Sequence, residues 1–80
     1  MKLELYVMEG CPYCKKVEKY IDQAGVKSKI NSTYDITKDD GAHTRLMKLN
    51  NDEQVPCLVI DGKPMLESDD IIDWLKSNLN

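Results

Sequence analysis

Leu3, Leu5 and Val7 alternate with Lys2, Glu4 and Tyr6, a period of two that gives a strand one apolar face. The alternation stops at Glu9-Gly10. Beyond it the period lengthens: Cys14, Val17, Ile21 and Ala24 recur at spacings of three and four up to Gly25, the buried stripe of an amphipathic helix. Pro12 stands where a first helical turn has no use for a backbone donor. Lys15, Glu18, Lys19 and Asp22 fall on the other side and read as its solvated face.

Residues 26–37 mix β-branched and polar side chains without clean alternation, and a strand is expected within Lys27–Tyr34. Asp39 or Asp40 caps a helix running through Asn50, with Ala42, Leu46 and Leu49 inward and His43, Arg45 and Lys48 more exposed. Val55 to Ile60 is nearly continuous apolar sequence, and Asp61-Gly62 after it is a hairpin signal. Leu58–Ile60 is therefore expected to pair antiparallel with Pro64–Leu66 or thereabouts. Ser68 serves as the cap of a last helix, Asp69 and Asp70 complement the positive end of its dipole, and Ile71, Ile72, Leu75 and Leu79 form its buried stripe, with Trp74 at the edge. The order β-α-β-α-β-β-α predicts one α/β domain over residues 1–80, with three helices on a small mixed four-stranded sheet.

Eighty residues and 9.2 kDa leave no room for a broad internal substrate chamber, so chemistry must occur at the surface. Charged residues make up 31% of the chain and the formal net charge is -3, without the basic stripe that a nucleic-acid partner requires. No apolar run approaches the length of a membrane span, and the opening MKLELYVMEG has no secretory apolar core. Three cysteines, an odd count with two of them close together, do not make a disulfide scaffold. A cytoplasmic monomer without membrane or nucleic-acid partners is expected.

The chemistry concentrates at Cys11 and Cys14. Separated by two intervening residues at the start of a helix, they lie within one turn of each other, close enough to be bridged. Cys11 falls at the helix N-terminus, where free amides and the dipole favour a thiolate by about 0.3–2 kcal/mol. Cys14 lies one turn further in, on the side shared with Val17 and Ile21, and burial keeps it a thiol. The asymmetry predicts that Cys11 attacks a disulfide and Cys14 resolves the mixed disulfide. The same spacing is half of a zinc site, with Cys57 and His43 as the remaining candidates, but zinc would leave the strand-to-helix placement of Cys11 unexplained. No metal is expected.

Cys11-Pro12-Tyr13-Cys14 after a first strand, Val55-Pro56 opening a later strand and Ser68-Asp69 opening the last helix together resemble glutaredoxin along essentially the whole chain. The resemblance implies a thioredoxin-like fold and a glutathione-dependent thiol–disulfide oxidoreductase acting on protein disulfides and glutathionylated clients. Glutathione is then a reducing cosubstrate, with no tightly bound cofactor. Pro56 is implied to be a cis-proline facing the cysteine pair. Val55 would pair its backbone with glutathione, Ser68 and Asp69 would receive the γ-glutamyl carboxylate, and Tyr13 would flank the tripeptide.

The chain departs from that pattern in three places. Met8 stands where glutaredoxins commonly carry a lysine, a charge for which Lys15, His43, Arg45 and Lys48 are the substitutes. Leu66-Glu67 replaces a family glycine pair, and Leu66-Glu67-Ser68-Asp69 is equally similar to the glutathione-binding half of glutathione transferases, whose second helical domain an 80-residue chain cannot hold. Cys57, after Pro56, is either a small buried hydrophobe or a redox participant. Two alternatives follow from the resemblance: an electron donor reduced by thioredoxin reductase, and a glutathione-assisted iron–sulfur carrier, which Tyr13 disfavours.

Overall fold

The structure, a computed structural model, describes residues 1–79; Asn80, the end of the expected domain, lies outside the described residues. The elements run β1 (Leu3–Val7), α1 (Pro12–Ala24), a 3-10 turn (Lys27–Lys29), β2 (Ser32–Asp35), α2 (Asp40–Asn50), β3 (Cys57–Ile60), β4 (Lys63–Met65) and α3 (Ser68–Leu79). The sheet order is β2-β1-β3-β4, with β1 parallel to β2 and antiparallel to β3, and β3 antiparallel to β4. This is the expected mixed four-stranded sheet with three helices. Among the described residues no helix is long and apolar enough to cross a membrane.

Side-chain alternation divides the core in two. Leu3, Leu5, Val7 and Leu58 pack with Cys14, Val17 and Ile21 of α1 and with Ile71 and Leu75 of α3. On the other face Tyr6, Cys57 and Val59 pack with Ile36 and with Ala42 and Leu46 of α2. Tyr6, expected among the polar positions of β1, is thus fully buried. The reason is that both faces of this sheet are covered. Its ring lies 5.2 Å from that of Tyr34, its register partner on β2, and Arg45 sits over Tyr34 at 4.7 Å with Nε donating to the Tyr6 hydroxyl at 3.4 Å.

The strand and the hairpin expected here are present with their bounds refined, and two local expectations, at Leu49 and Ser68, need correction. Lys27–Lys29 turns instead of extending, because Gly25 closes α1 in the left-handed region (φ 69) and the chain must round the helix end before β2 can start at Ser32. Asn31 makes that entry, its amide donating to Leu3 O and its side-chain oxygen accepting from Leu3 N. In the hairpin, Asp61 and Gly62 both adopt positive φ (49 and 86), a two-residue turn that pairs Ile60 with Lys63 and starts β4 one residue early. Leu49 is 40% exposed, because the inward face of α2 steps by four from Ala42 to Leu46 to Asn50. Finally, Ser68 is the first residue of α3 instead of its cap; Glu67 precedes it with φ 72 and accepts from Ile71 N through its carbonyl.

Cys57 lies on the α2 face of the sheet, across β3 from the core that holds Cys14. Burial pushes its thiol up to about 11 from an ordinary 9.0, with the Met65 backbone acting the other way. Below pH 9 the folded and unfolded chains both keep this proton. Between about pH 9 and pH 11 the unfolded chain ionises first, so the stability carried by the neutral buried thiol is lost as pH rises through that window. The urea midpoint of the reduced protein should therefore fall more steeply between about pH 8 and pH 10.5 than that of Cys57→Ala. Parallel slopes in the two proteins would show that this thiol ionises equally easily in both states.

Candidate functional site

After β1 the chain turns through Met8, Glu9 and Gly10, whose φ of 80 is open to glycine at no steric cost. Cys11 N then donates to Met8 O at 3.3 Å, and the chain enters α1. Cys11 holds the N-cap position with extended backbone (φ -88, ψ 112), and Pro12 occupies the first turn. A cap side chain normally offers oxygen to a free amide. Here sulfur does so: Cys14 N donates to Cys11 Sγ at 3.2 Å.

One turn of helix brings Cys14 onto the buried face, fully inaccessible, beside Val17. Both cysteines are free thiols. Burial first, and then the hydrogen bond with Cys11, push the Cys14 thiol up from 9.0 to about 12. Cys11 itself is less open than a helix terminus suggests, at 7% exposed, because Val7 and the α1 stripe pack around it.

The Val55-Pro56 peptide bond is cis, and Val55 packs against the same core as the cysteine pair. In front of it opens a groove of about 610 Å³. Tyr13, Val55, Ser68 and Asp69, the four positions expected to touch glutathione, all line this groove together with Pro56 and converge from three separate stretches of chain. Gln54, Glu67 and Asp70 complete the wall and were not foreseen. Gln54 Nε2 donates to Glu67 Oε1 at 3.2 Å, which ties the loop before Pro56 to the entry of α3. The similarity of Leu66-Glu67-Ser68-Asp69 to glutathione transferases was the signal that could have drawn in Glu67.

The basic residues are distributed differently from expectation. Arg45 and Lys48 border a depression with Tyr6 and Val59 on the α2 face, and His43 Nε2 lies 3.5 Å from Glu53 Oε2, so none of the three substitutes for a lysine at position 8. Lys15 alone of the four shares a surface depression with Met8. Lys16 crosses from α1 to contact the Asp69 carboxylate on α3, which makes Asp69 an already paired group. Among the described residues no three His, Cys, Asp or Glu side chains form a metal-binding group.

Residues 5–80 match the family model for the N-terminal domain of glutathione S-transferase. Among solved structures, a point mutant of the thioredoxin-like protein BC3987 is 28% identical, with a TM-score of 0.74, and the alignment covers 99% of this chain and 100% of that one. A delta-class glutathione transferase from Nilaparvata lugens is 26% identical with a TM-score of 0.70; the match covers 95% of this chain but 35% of the transferase. Oxidized glutaredoxin 2 from Chlamydomonas reinhardtii shares the fold at 23% identity and a TM-score of 0.67, over 95% of this chain and 72% of that one. This chain thus corresponds to about a third of the transferase and to the full length of the thioredoxin-like protein. No curated protein matches the sequence.

The difference between the two sulfurs can be read chemically. In Cys11→Ser, alkylation of Cys14 should still be accelerating above about pH 10, because burial, the largest cause of its raised value, survives the substitution. Mass spectrometry of iodoacetamide-treated protein across pH checks this. A plateau near pH 9 would contradict the burial of Cys14.

Proposed function

Because the chain belongs to the glutathione S-transferase N-terminal domain family, we propose that its thioredoxin-like scaffold serves a glutathione-dependent thiol–disulfide oxidoreductase, with Cys11 as nucleophile and Cys14 as resolving thiol. The observation that carries this reading is the amide of Cys14 aimed at Cys11 Sγ while the Cys14 thiol itself is buried and held protonated. That amide faces the sulfur assigned the attack. A buried neutral thiol beside it stays out of the first step.

In the reductive half, the Cys11 thiolate attacks one sulfur of the client disulfide; a Cys11–client S–S bond forms and the client's S–S bond breaks. The displaced client thiolate takes up a proton. Cys14 then gives up its proton and attacks Cys11 Sγ, which releases the second client sulfur as a thiol and leaves a Cys11–Cys14 disulfide. Two electrons have passed to the client. Two glutathione molecules return them: the first forms a mixed disulfide on Cys11 and frees Cys14, and the second displaces the first as oxidised glutathione.

The groove suits the glutathione step. Val55, just ahead of β3, offers backbone for strand-like pairing with a short peptide. The first-turn amides of α3 and the Ser68 hydroxyl suit the γ-glutamyl carboxylate. Tyr13, 66% exposed, supplies a flat apolar flank. A second reading, reduction by thioredoxin reductase, is favoured by one observation: position 8 presents a 39% exposed methionine in place of a cation that would hold a glutathione carboxylate.

The deciding assay follows reduction of a glutathione mixed disulfide by wild type, Cys11→Ser and Cys14→Ser, driven either by glutathione with its reductase or by thioredoxin reductase. Cys11→Ser should lose roughly a hundredfold or more in rate, and Cys14→Ser should keep the glutathione-driven route through the mixed disulfide. Activity retained without Cys11 would overturn the mechanism. Turnover with thioredoxin reductase alone would establish the second reading.

A further inference from the structure

Three carboxylates, Glu67, Asp69 and Asp70, line the groove beside Tyr13, and no lysine or arginine does. Their charges are answered unequally. Lys16 neutralises Asp69 at contact distance. Glu67 receives only the neutral amide of Gln54, and Asp70 makes no ion pair among the described residues. The amide end of α3 opposes them with a positive field equivalent to roughly half a charge, which is less than the two carboxylates left over. The net formal charge on the groove wall is therefore negative, with the α3 amides its one locally positive part.

A second feature marks the groove as a place for a ligand. Ser68 lines it while being 8% exposed, and its hydroxyl has no hydrogen-bond partner among the described residues. That hydroxyl opens onto the groove and is free to pair with an incoming backbone group.

The geometry points to a protein client whose disulfide is flanked by a cationic segment, its Lys or Arg side chains meeting Glu67 and Asp70 while its backbone occupies the groove at Val55 and Ser68. This rests on the oxidoreductase reading above and names the class of protein substrate. The exposed ring of Tyr13 gives the aliphatic stems of such side chains an apolar surface to lie on. The net charge of -3 acts in the same direction at long range and speeds the encounter.

Three disulfide-linked peptides, identical except for flanking Lys, Gln or Glu, test this with the full chain, glutathione and glutathione reductase at low salt. The Lys peptide should exceed the Glu peptide in kcat/KM by about three- to tenfold. Added salt should narrow the gap, and the double variant Glu67→Gln/Asp70→Asn should remove most of it. Equal rates for the Lys and Glu peptides, or a gap that the double variant leaves intact, would overturn the inference and leave the oxidoreductase reading standing. The same peptides carrying serine for cysteine, titrated into the reduced chain and followed by backbone amide shifts, separate the two claims. Shifts at Val55, Ser68 and Asp70 with the Lys peptide and not the Glu peptide uphold the cationic client even if no peptide is reduced. Equal shifts, or none, dismiss it.

Discussion

The site is organised by one hydrogen bond, from the amide of Cys14 to the sulfur of Cys11. Capping a helix usually falls to oxygen, because the first amides have no intrahelical partners and a short polar side chain can reach back to them. Here a sulfur takes that place, so the geometry that starts α1 is also the geometry that places a negative charge, when there is one, against an amide. The dependence runs outward from that contact. Gly10 must adopt positive φ for the chain to leave β1 and present Cys11 at the cap. Pro12 can follow only because the first turn needs no donor. Once α1 has started at that residue, its 3.6-residue period delivers Cys14 to the covered face.

The sheet then determines which groups can influence the pair. Both of its faces are packed, and a strand alternates sides at each residue. Cys57 follows the cis-proline directly in sequence, yet its side chain belongs to the core under α2, whereas Leu58 reaches the core of α1 and α3. The same partition removes Arg45, Lys48 and His43 from the neighbourhood of Cys11 and leaves Lys15 and Lys16 on α1. Proximity along the chain is a poor guide across a covered sheet. One residue of offset separates the two cores.

Much of this was legible in the sequence for a physical reason. Period and punctuation are local, so the stripe of Cys14, Val17 and Ile21, the Asp39 cap and the Asp61-Gly62 turn could each be read within a few residues. The errors occurred where a tertiary requirement overrode local pattern. Residues 27–29 turn because α1 and β2 must join around a helix end, and Leu49 faces out because α2 touches the sheet along one narrow line. The burial of Tyr6 depended on a second covered face, and alternation within one strand does not reveal how many faces are covered. Within the groove, Gln54 and Asp70 carried no motif. They belong to it because the loop before Pro56 and the start of α3 meet in space, linked by the Gln54–Glu67 hydrogen bond.

The groove combines two opposing fields within a few residues. Amides at the start of α3 attract negative charge, while Glu67 and Asp70 repel it and Lys16 silences Asp69. Either field alone would favour one sign of ligand over the whole surface. Together they would distinguish ligands by where charge is placed, a carboxylate at the α3 amides and an ammonium or guanidinium at the Glu67 and Asp70 carboxylates beside them. Glutathione's γ-glutamyl end carries both signs on adjacent groups, and a basic polypeptide carries positive charge on extended stems. On the oxidoreductase reading proposed above, the two would occupy this surface in successive half-reactions. Selection between them would then depend on length and reach, since on that reading the same few polar groups serve each in turn.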